Sequence, residues 1–463
     1  MKITDLKGKR ITVFGLGLNG GGVDTVRFLV GAGARVIATD IKTRETLARS
    51  LEQLADLKGV TYVLGQHRHE DFAHVDMVIK TPGAPWNSKQ VQIAHDHGVP
   101  VYVDASLFFL LNKQPVIGVT GSKGKTTTTM MIAHFLRSAK RDVVPVGVHQ
   151  TPVLGTLHEI TKGSVPVFEL SSWRLAALDR IKKSPRIAVV TNILTDHADY
   201  YKTPAAYEKD KRAITAHQKK GDALILNADD PTLAAWAQKT TADVIWYSTK
   251  QIPQGHAFFV KNGIVYERVD GKTIELYPLA SAAVEGAHNH ANLLAATAAA
   301  RAAGVAVSVL RSAVATFAGV PHRGELVATV DGVRYVNDTA ATIPDAAIAS
   351  MRACTTPVVL IAGGSDKRLQ FDAFARAVLH DAKAAVFLAG TATDKMCAAL
   401  KKTDPAYTPI VVESMADAVR WARAHATEGD TVLLAPGAAS FGMFANEFVR
   451  GDAFRAAVRA LGS

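Results

Sequence analysis

Short apolar runs of four or five residues recur along the chain, most ending in a glycine-bearing or polar turn and followed by helical spacing. Runs of that length describe strands buried on both faces, and their alternation with amphipathic segments describes parallel α/β units. Residues 9–14 form the first run and lead into Gly15-Leu16-Gly17-Leu18-Asn19-Gly20. Val23, Val26, Leu29 and Val30 then repeat at helical spacing, Gly33 follows, and residues 35–39 form a second strand that ends at Asp40. The run 77–80 leads into Thr81-Pro82-Gly83, a short strand near 99–102 closes the unit, and 107–112 reads as its exit.

A strand entering GxGxxG, with an acid about twenty residues on, is the dinucleotide-binding fingerprint. The same βαβ unit can hold other nucleotides, so the ligand stays open at this point.

The pattern restarts at 115–117, ahead of Gly118-Val119-Thr120-Gly121-Ser122-Lys123-Gly124-Lys125-Thr126-Thr127 and a helical pattern running to about 138. A strand, a glycine-rich turn and a helix N-terminus in that order make a phosphate cradle, because backbone N–H groups and the positive helix end face the anion. Lys125 would reach the β- and γ-phosphates, and the Thr126 hydroxyl would ligate Mg²⁺. The strict P-loop has glycine where Val119 stands, so this loop is a variant. Two further runs, 165–168 and 187–192, lead into Glu169 and towards His197. In a parallel sheet both ends share the edge of the phosphate loop, which groups metal-capable residues around a triphosphate.

Lys211 lies on a charged helical stretch, 204–217, that by itself reads as a solvated face. Residues 223–227 are one more strand, and 240–277 alternates like antiparallel strands with turns at Gly255, Gly263 and Gly271. An alanine-rich helix through Ala303 follows His288-Asn289-His290-Ala291-Asn292. A hairpin, 326–330 with 333–336, then precedes the runs 358–361, 385–388 and 431–434, each ending in a glycine-bearing turn. The expected fold is α/β in three domains. These are a Rossmann-like domain over 1–110, a central P-loop-type domain with a mostly parallel sheet over 111–319, and a C-terminal Rossmann-like α/β domain over 320–463.

Composition narrows the function without choosing it. The 463 residues are 48% hydrophobic and 21% charged, as in an ordinary globular protein, and the length implies several domains. The formal charge of +11 is dispersed, with no basic run or base-stacking motif, so phosphorylated small molecules are expected as ligands and nucleic acid is not. Two cysteines without paired spacing argue against a disulfide framework or a zinc site. No run has the length of a membrane span, and the expected address is the cytoplasm.

GVTGSKGKTT, Glu-Leu-Ser-Ser at 169–172, Thr-Asn-Ile-Leu-Thr-Asp-His at 191–197 and His-Asn-His-Ala-Asn at 288–292 occur in that order. Pro-His-Arg at 321–323, Asn-Asp-Thr at 337–339 and Gly-Gly-Ser-Asp-Lys at 363–367 continue it. In that order they resemble the Mur ligases of peptidoglycan synthesis over nearly the whole chain. The Rossmann-like first domain and the terminal Ala-Pro-Gly-Ala-Ala-Ser-Phe with Arg450-Gly451-Asp452 are similar to the glutamate-adding branch. The resemblance implies an ATP-dependent ligase that joins D-glutamate to UDP-N-acetylmuramoyl-L-alanine through an acyl phosphate, using two Mg²⁺ ions, and a monomer is expected.

Carried onto this sequence, the resemblance gives Lys125, Glu169, His197 and Lys211 catalytic roles, with Thr126, Glu169, His197 and a carbamylated Lys211 facing metal. Lys209 is the competing register. ATP would be held by Gly121, Ser122, Lys123, Gly124, Lys125, Thr126, Thr127, Asn289, Asn292, Arg323 and Asp338. The UDP-substrate would meet Leu16, Asn19, Asp40, Ile41, Lys42, Thr81, Pro82 and Gly83, and the amino acid Thr342, Lys367 and Ser440. Lys123, Val148, Ala340 and Glu447 depart from the family pattern. The competing classes are a dehydrogenase, which leaves the phosphate loop unexplained, a folylpolyglutamate-type ligase, which lacks the first domain, a ligase for another amino acid such as L-glutamate, and a non-catalytic nucleotide-binding module.

Overall fold

The computed structural model describes residues 1–18, 20–148, 152–194, 201, 203–284, 286–366 and 369–461. The described residues form two compact units, Met1–Phe317 and Ala318–Ser463, and three sheets. Two of the sheets lie in the first unit.

In the first sheet Arg10–Phe14 is central, flanked in parallel by Arg35–Asp40 and Met77–Lys80, with Thr61–Leu64 and Val101–Tyr102 outside them. Because all five strands run the same way, Gly15–Gly17, Asp40 and Thr81 emerge at one edge. The helix Gly21–Gly31 starts beside that edge and buries Val23, Val26, Phe28 and Leu29 against the sheet. The glycine that permits this close approach is Gly22, beyond the fingerprint itself: a Cβ there would lie 2.2 Å from the Leu16 carbonyl oxygen. Gly22→Ala is therefore expected to destabilise the protein by about 2 kcal/mol or more. Gly21→Ala, with nothing within 4 Å of the added carbon, should be nearly neutral. Urea midpoints at unchanged slope would measure both.

The second sheet has Ile117–Thr120 between Val165–Glu169 and Ile187–Val190, all parallel, with Val143–Val146 at one edge. Ile117–Thr120 is buried at every position, as its apolar run requires. Beyond Ile187–Val190 come Ala223–Asn227, Asp243–Ser248 and Ala257–Lys261, then Ile264–Val269 and Lys272–Pro278. The expectation of antiparallel pairing throughout 240–277 is corrected here. Asp243–Ser248 pairs in parallel with Ala223–Asn227, across the helix Pro231–Ala237, and Ala257–Lys261 pairs in parallel with it in turn. Only the last three strands form antiparallel hairpins. Alternating polarity reports one exposed face and carries no strand direction, which explains the difference.

In the second unit Val333–Asn337 pairs antiparallel with Glu325–Val330 and parallel with Thr431–Leu434. Val358–Gly363, Ala382–Leu388 and Ile410–Val412 extend that parallel sheet. Helices Pro344–Ala353, Asp372–Asp381 and Thr391–Thr403 supply side chains to one buried cluster, and Met415–His425 and Glu447–Arg459 supply another. Among the described residues no helix is long and apolar enough to cross a membrane.

Candidate active site

The turn after Ile117–Thr120 is shaped by two glycines. Gly121 (φ 147°) and Gly124 (φ 83°) hold backbone that side chains rarely adopt, and Gly124 precedes the helix Lys125–Ser138. Neither position has room for a Cβ, which would fall 1.8 Å from Thr191 Oγ1 at Gly121 and 2.2 Å from Asn292 Oδ1 at Gly124. Asn292, buried on the helix Ala287–Ala302, is thus packed directly on the loop, while Asn289 on the same helix is half-buried.

The end of the neighbouring strand closes over the loop. Thr191 Oγ1 donates to the Lys123 carbonyl (2.6 Å), Asn192 Oδ1 accepts from the Lys123 N–H (2.9 Å), and Ser122 Oγ exchanges hydrogen bonds with Leu194 (2.9 and 3.0 Å). Asp230 accepts from the Ile193 N–H at 2.7 Å and fixes that segment from the next strand along. Thr191, Asn192 and Asp230 had no site role in the sequence reading. For Thr191 and Asn192 the available signal was their place in the 191–197 motif, and Asp230 lay in no motif.

Cations and oxygen donors meet at this turn. Lys125 Nζ donates to the carbonyls of Gly121 (3.0 Å) and Ser122 (2.9 Å). Lys211 Nζ donates to the same Gly121 oxygen at 2.8 Å and lies 4.7 Å from the centre of the Tyr207 ring. The solvated-face reading of Lys211 is therefore overturned: its side chain is 1% exposed, whereas Lys209 is exposed. The helix that carries it is also shorter than the charge pattern suggested, Pro204–Arg212. Thr126 Oγ1 donates to Glu169 Oε2 at 2.8 Å, so a hydroxyl and a carboxylate stand together at the mouth of the loop. These are hard oxygen donors, the set that suits Mg²⁺. Among the described residues no cluster of three or more His, Cys, Asp or Glu adds to them. His197 lies outside the described residues, as do Asn19 and Lys367. Lys123 extends an exposed side chain from the loop, and Thr127 lies within the first turn of the helix.

Arg174 stands behind Glu169. It donates to the Glu169 carbonyl (3.4 Å) and to both carboxylate oxygens of Asp104 (2.8 and 3.4 Å). Burial opposes the charge of this guanidinium, but Asp104, Glu169 and Asp24 hold its pKa above the ordinary value.

At the edge of the first sheet, Asp40 is nearly buried and accepts from the N–H groups of Gly17 and Lys42, both at 2.9 Å. Its carboxylate thereby shapes the two loops that carry Leu16, Ile41 and Lys42. Leu16 itself is a core residue at 1% exposure, so only its main chain lies at the loop, whereas Ile41 is 64% exposed. Thr81 Cγ2 would meet a Cβ on Gly15 at 2.8 Å, so the 81–83 turn packs on the start of the glycine loop. Thr81 and Gly83 are exposed and Pro82 is half-buried.

In the second unit, Asp338 accepts from the Gly324 N–H (3.3 Å) and from Ser350, and burial raises its pKa. It therefore braces the turn that carries exposed Arg323. Ser440 is buried beside the Ser365–Ala439 bridge, and Thr342 is half-buried. Arg450, named in the terminal motif but given no role there, ties these loops. Its fully buried guanidinium donates to Thr339 Oγ1 (3.0 Å), Thr339 O (3.1 Å) and Ala438 O (3.1 Å), and burial lowers its pKa to about 10. Phe448 packs on His322, with ring centres 5.6 Å apart.

A phosphate loop in a parallel sheet, flanked by a hydroxyl–carboxylate pair and two lysines, defines an α/β protein that handles nucleotide phosphates. The chain belongs to the Mur ligase family. Residues 9–103 match the Mur ligase MurD-like N-terminal domain, 119–300 the Mur ligase middle domain, and 322–438 the Mur ligase glutamate ligase domain. It is 44% identical to the UDP-N-acetylmuramoylalanine--D-glutamate ligase of Roseiflexus sp. (strain RS-1), over 97% of this chain and 98% of that one. It is 38% identical to the enzyme of the same name from Symbiobacterium thermophilum, over 98% of each chain. In fold it is similar to UDP-N-acetylmuramate-alanine ligase from Thermotoga maritima (TM-score 0.59, 19% identity, covering 98% of this chain and 100% of that one).

Proposed function

We propose that this protein is an ATP-dependent ligase that joins D-glutamate to UDP-N-acetylmuramoyl-L-alanine during peptidoglycan precursor synthesis. The observation that carries the chemistry is the meeting of Lys125, Lys211, Thr126 and Glu169 at one glycine turn. The full-length likeness to D-glutamate ligases supports the substrate.

A carboxylate is a poor electrophile and must be activated. Its oxygen attacks the γ-phosphorus of ATP, the bond to the β-phosphate oxygen breaks, and ADP leaves an acyl phosphate behind. The glutamate amine then attacks the acyl carbon, loses a proton, and phosphate departs with both electrons of the C–O bond. Every stage brings anions together, so catalysis rests on positioning and charge stabilisation. Lys125 would exchange its two carbonyl partners for β- and γ-phosphate oxygens, and the N–H groups of Lys125 to Thr127 at the helix N-terminus would cradle them, with Gly121, Ser122, Lys123 and Gly124 shaping the turn around them. Mg²⁺, held by Thr126 and Glu169 with His197 and carbamylated Lys211 serving a second ion, would neutralise the polyphosphate. Asn289, Asn292, Arg323 and Asp338 are assigned to the nucleotide, the Leu16–Asn19, Asp40–Lys42 and Thr81–Gly83 loops to the UDP-substrate, and Thr342, Lys367 and Ser440 to glutamate. ATP and a nucleotide-linked sugar are cytoplasmic metabolites, which supports that address. All the assigned groups come from one chain, which supports a monomer.

Phosphate release with ATP, Mg²⁺ and UDP-N-acetylmuramoyl-L-alanine tests the reading when D-glutamate, L-glutamate and other amino acids are compared. Turnover with D-glutamate alone is expected. Turnover with a different amino acid would overturn the substrate assignment, and silence with all of them would overturn the ligase reading.

A further inference from the structure

Lys80 ends the strand Met77–Lys80 and is 1% exposed, an unusual burial for a lysine. Its ammonium donates to three carbonyls of the turn that follows: Thr81 (3.2 Å), Pro82 (3.4 Å) and Ala84 (2.7 Å). An ammonium has three donors and no acceptor, so the match to three inward carbonyls is complete. Without the cation those oxygens would face one another in a place closed to water, which is costly. Trp86 closes the turn. Its ring lies 4.4 Å from Lys80 Nζ and 4.1 Å from the guanidinium carbon of Arg180, at the end of the helix Ser172–Arg180 that starts just after Glu169. The outer surface of the same turn is exposed Thr81 and Gly83, and its Thr81 packs on Gly15.

We propose that Lys80 is a positioning residue for the UDP-substrate: its buried ammonium holds the 81–84 turn in the shape that receives the nucleotide. The inference rests on the assignment of that turn to the UDP-substrate. Lys80 does not touch the ligand. It acts by fixing main-chain carbonyls inward, which turns the opposite face of the turn outward and keeps the adjoining Gly15–Gly17 loop in place.

The ammonium works against its surroundings. Burial, with Arg180 adding repulsion and Asp104 opposing it, brings the Lys80 pKa down to about 8. Arg180 from its helix and Asp104 from the helix Asp104–Leu111 are the charged groups that set this balance, and the Trp86 ring lies against the ammonium. The lysine is charged below that pH and loses its proton as pH rises through it. A neutral amine keeps two N–H groups for three carbonyls, so the turn loosens at alkaline pH.

The test is calorimetric binding of UDP-N-acetylmuramoyl-L-alanine, without ATP, from about pH 7 to about pH 9. The wild-type Kd should rise roughly tenfold over that range, a loss of the size expected for one buried charged hydrogen-bond set. Lys80→Met should bind about tenfold more weakly at neutral pH, with a flat profile, and Lys80→Arg should recover part of the affinity. ATP-analogue binding should be unchanged in both. A wild-type profile as flat as that of Lys80→Met, or equal losses for both ligands, would overturn the proposal. Gly83→Trp separates it from the site assignment, because the position is exposed and a Cβ there meets nothing within 4 Å, and a melting temperature close to that of the wild type would show that the variant folds. If Gly83→Trp blocks binding while Lys80→Met is silent, the role of Lys80 fails alone. If Gly83→Trp binds normally, the turn is not the UDP-substrate site.

Discussion

Lys125→Ala is expected to lower ATP-dependent phosphate release by at least about a thousandfold while leaving affinity for the UDP-substrate within about twofold. The two halves of that expectation come from different parts of the first unit. Lys125 Nζ spans the mouth of the phosphate turn, on the carbonyls of Gly121 and Ser122, where the γ-phosphate charge must be met during transfer. The turns assigned to the UDP-substrate belong to the other sheet of that unit and are organised by Asp40 and Lys80. Lys125→Arg should fail nearly as badly, because a planar guanidinium does not fit where a compact ammonium is wrapped by two carbonyls. Malachite-green phosphate assays and calorimetry with the UDP-substrate alone would measure both quantities. Loss of UDP-substrate binding together with turnover would move the nucleotide site elsewhere.

The central strands of both sheets of the first unit, such as Met77–Lys80 and Ile117–Thr120, were legible because each is buried on two faces and so lies in an apolar run. The parallel order of these central strands followed from the helices between them and put Glu169 on the edge of the phosphate turn, whereas the direction of the strands over 240–277 was not legible. The burial of Lys211 was hidden for a physical reason. A helix rich in charged residues reads as solvated unless one knows that the Gly121 carbonyl and the Tyr207 ring receive one of its lysines. Arg450 and Lys80 escaped similarly, since both are cations buried against main-chain carbonyls, and a carbonyl has no signature in sequence. Thr191 and Asn192 form part of a recognisable motif, yet their work is to tie one turn to another, a role that appears only when two strands become neighbours. What sequence displays is which residues can do chemistry; what it hides is which carbonyls and aromatic rings have been arranged to receive them.

Lys211→Ala is expected to lower turnover by about a thousandfold, and wild-type turnover should itself fall when carbon dioxide and bicarbonate are removed. The argument begins with two ammonium groups that donate to one carbonyl oxygen, so they can be no farther apart than those two hydrogen bonds allow. Like charges at about 5 Å repel by on the order of 3 kcal/mol at an effective dielectric near 20. The carbamylation proposed above would relieve this. Lys211 would first lose a proton, its neutral amine nitrogen would attack the carbon of CO₂, a second proton would leave, and a +1 group would become a −1 carboxylate at the turn that holds Lys125. Lys211→Glu, which keeps a carboxylate on a shorter stem, should retain more turnover than Lys211→Ala, and Lys211→Gln should not. Carbon-13 NMR after incubation with labelled bicarbonate should show a carbamate resonance that Lys211→Ala lacks. Full wild-type turnover in carbon-dioxide-free buffer, with no such resonance, would leave Lys211 an ammonium whose task is to hold the Gly121 carbonyl and shape the turn.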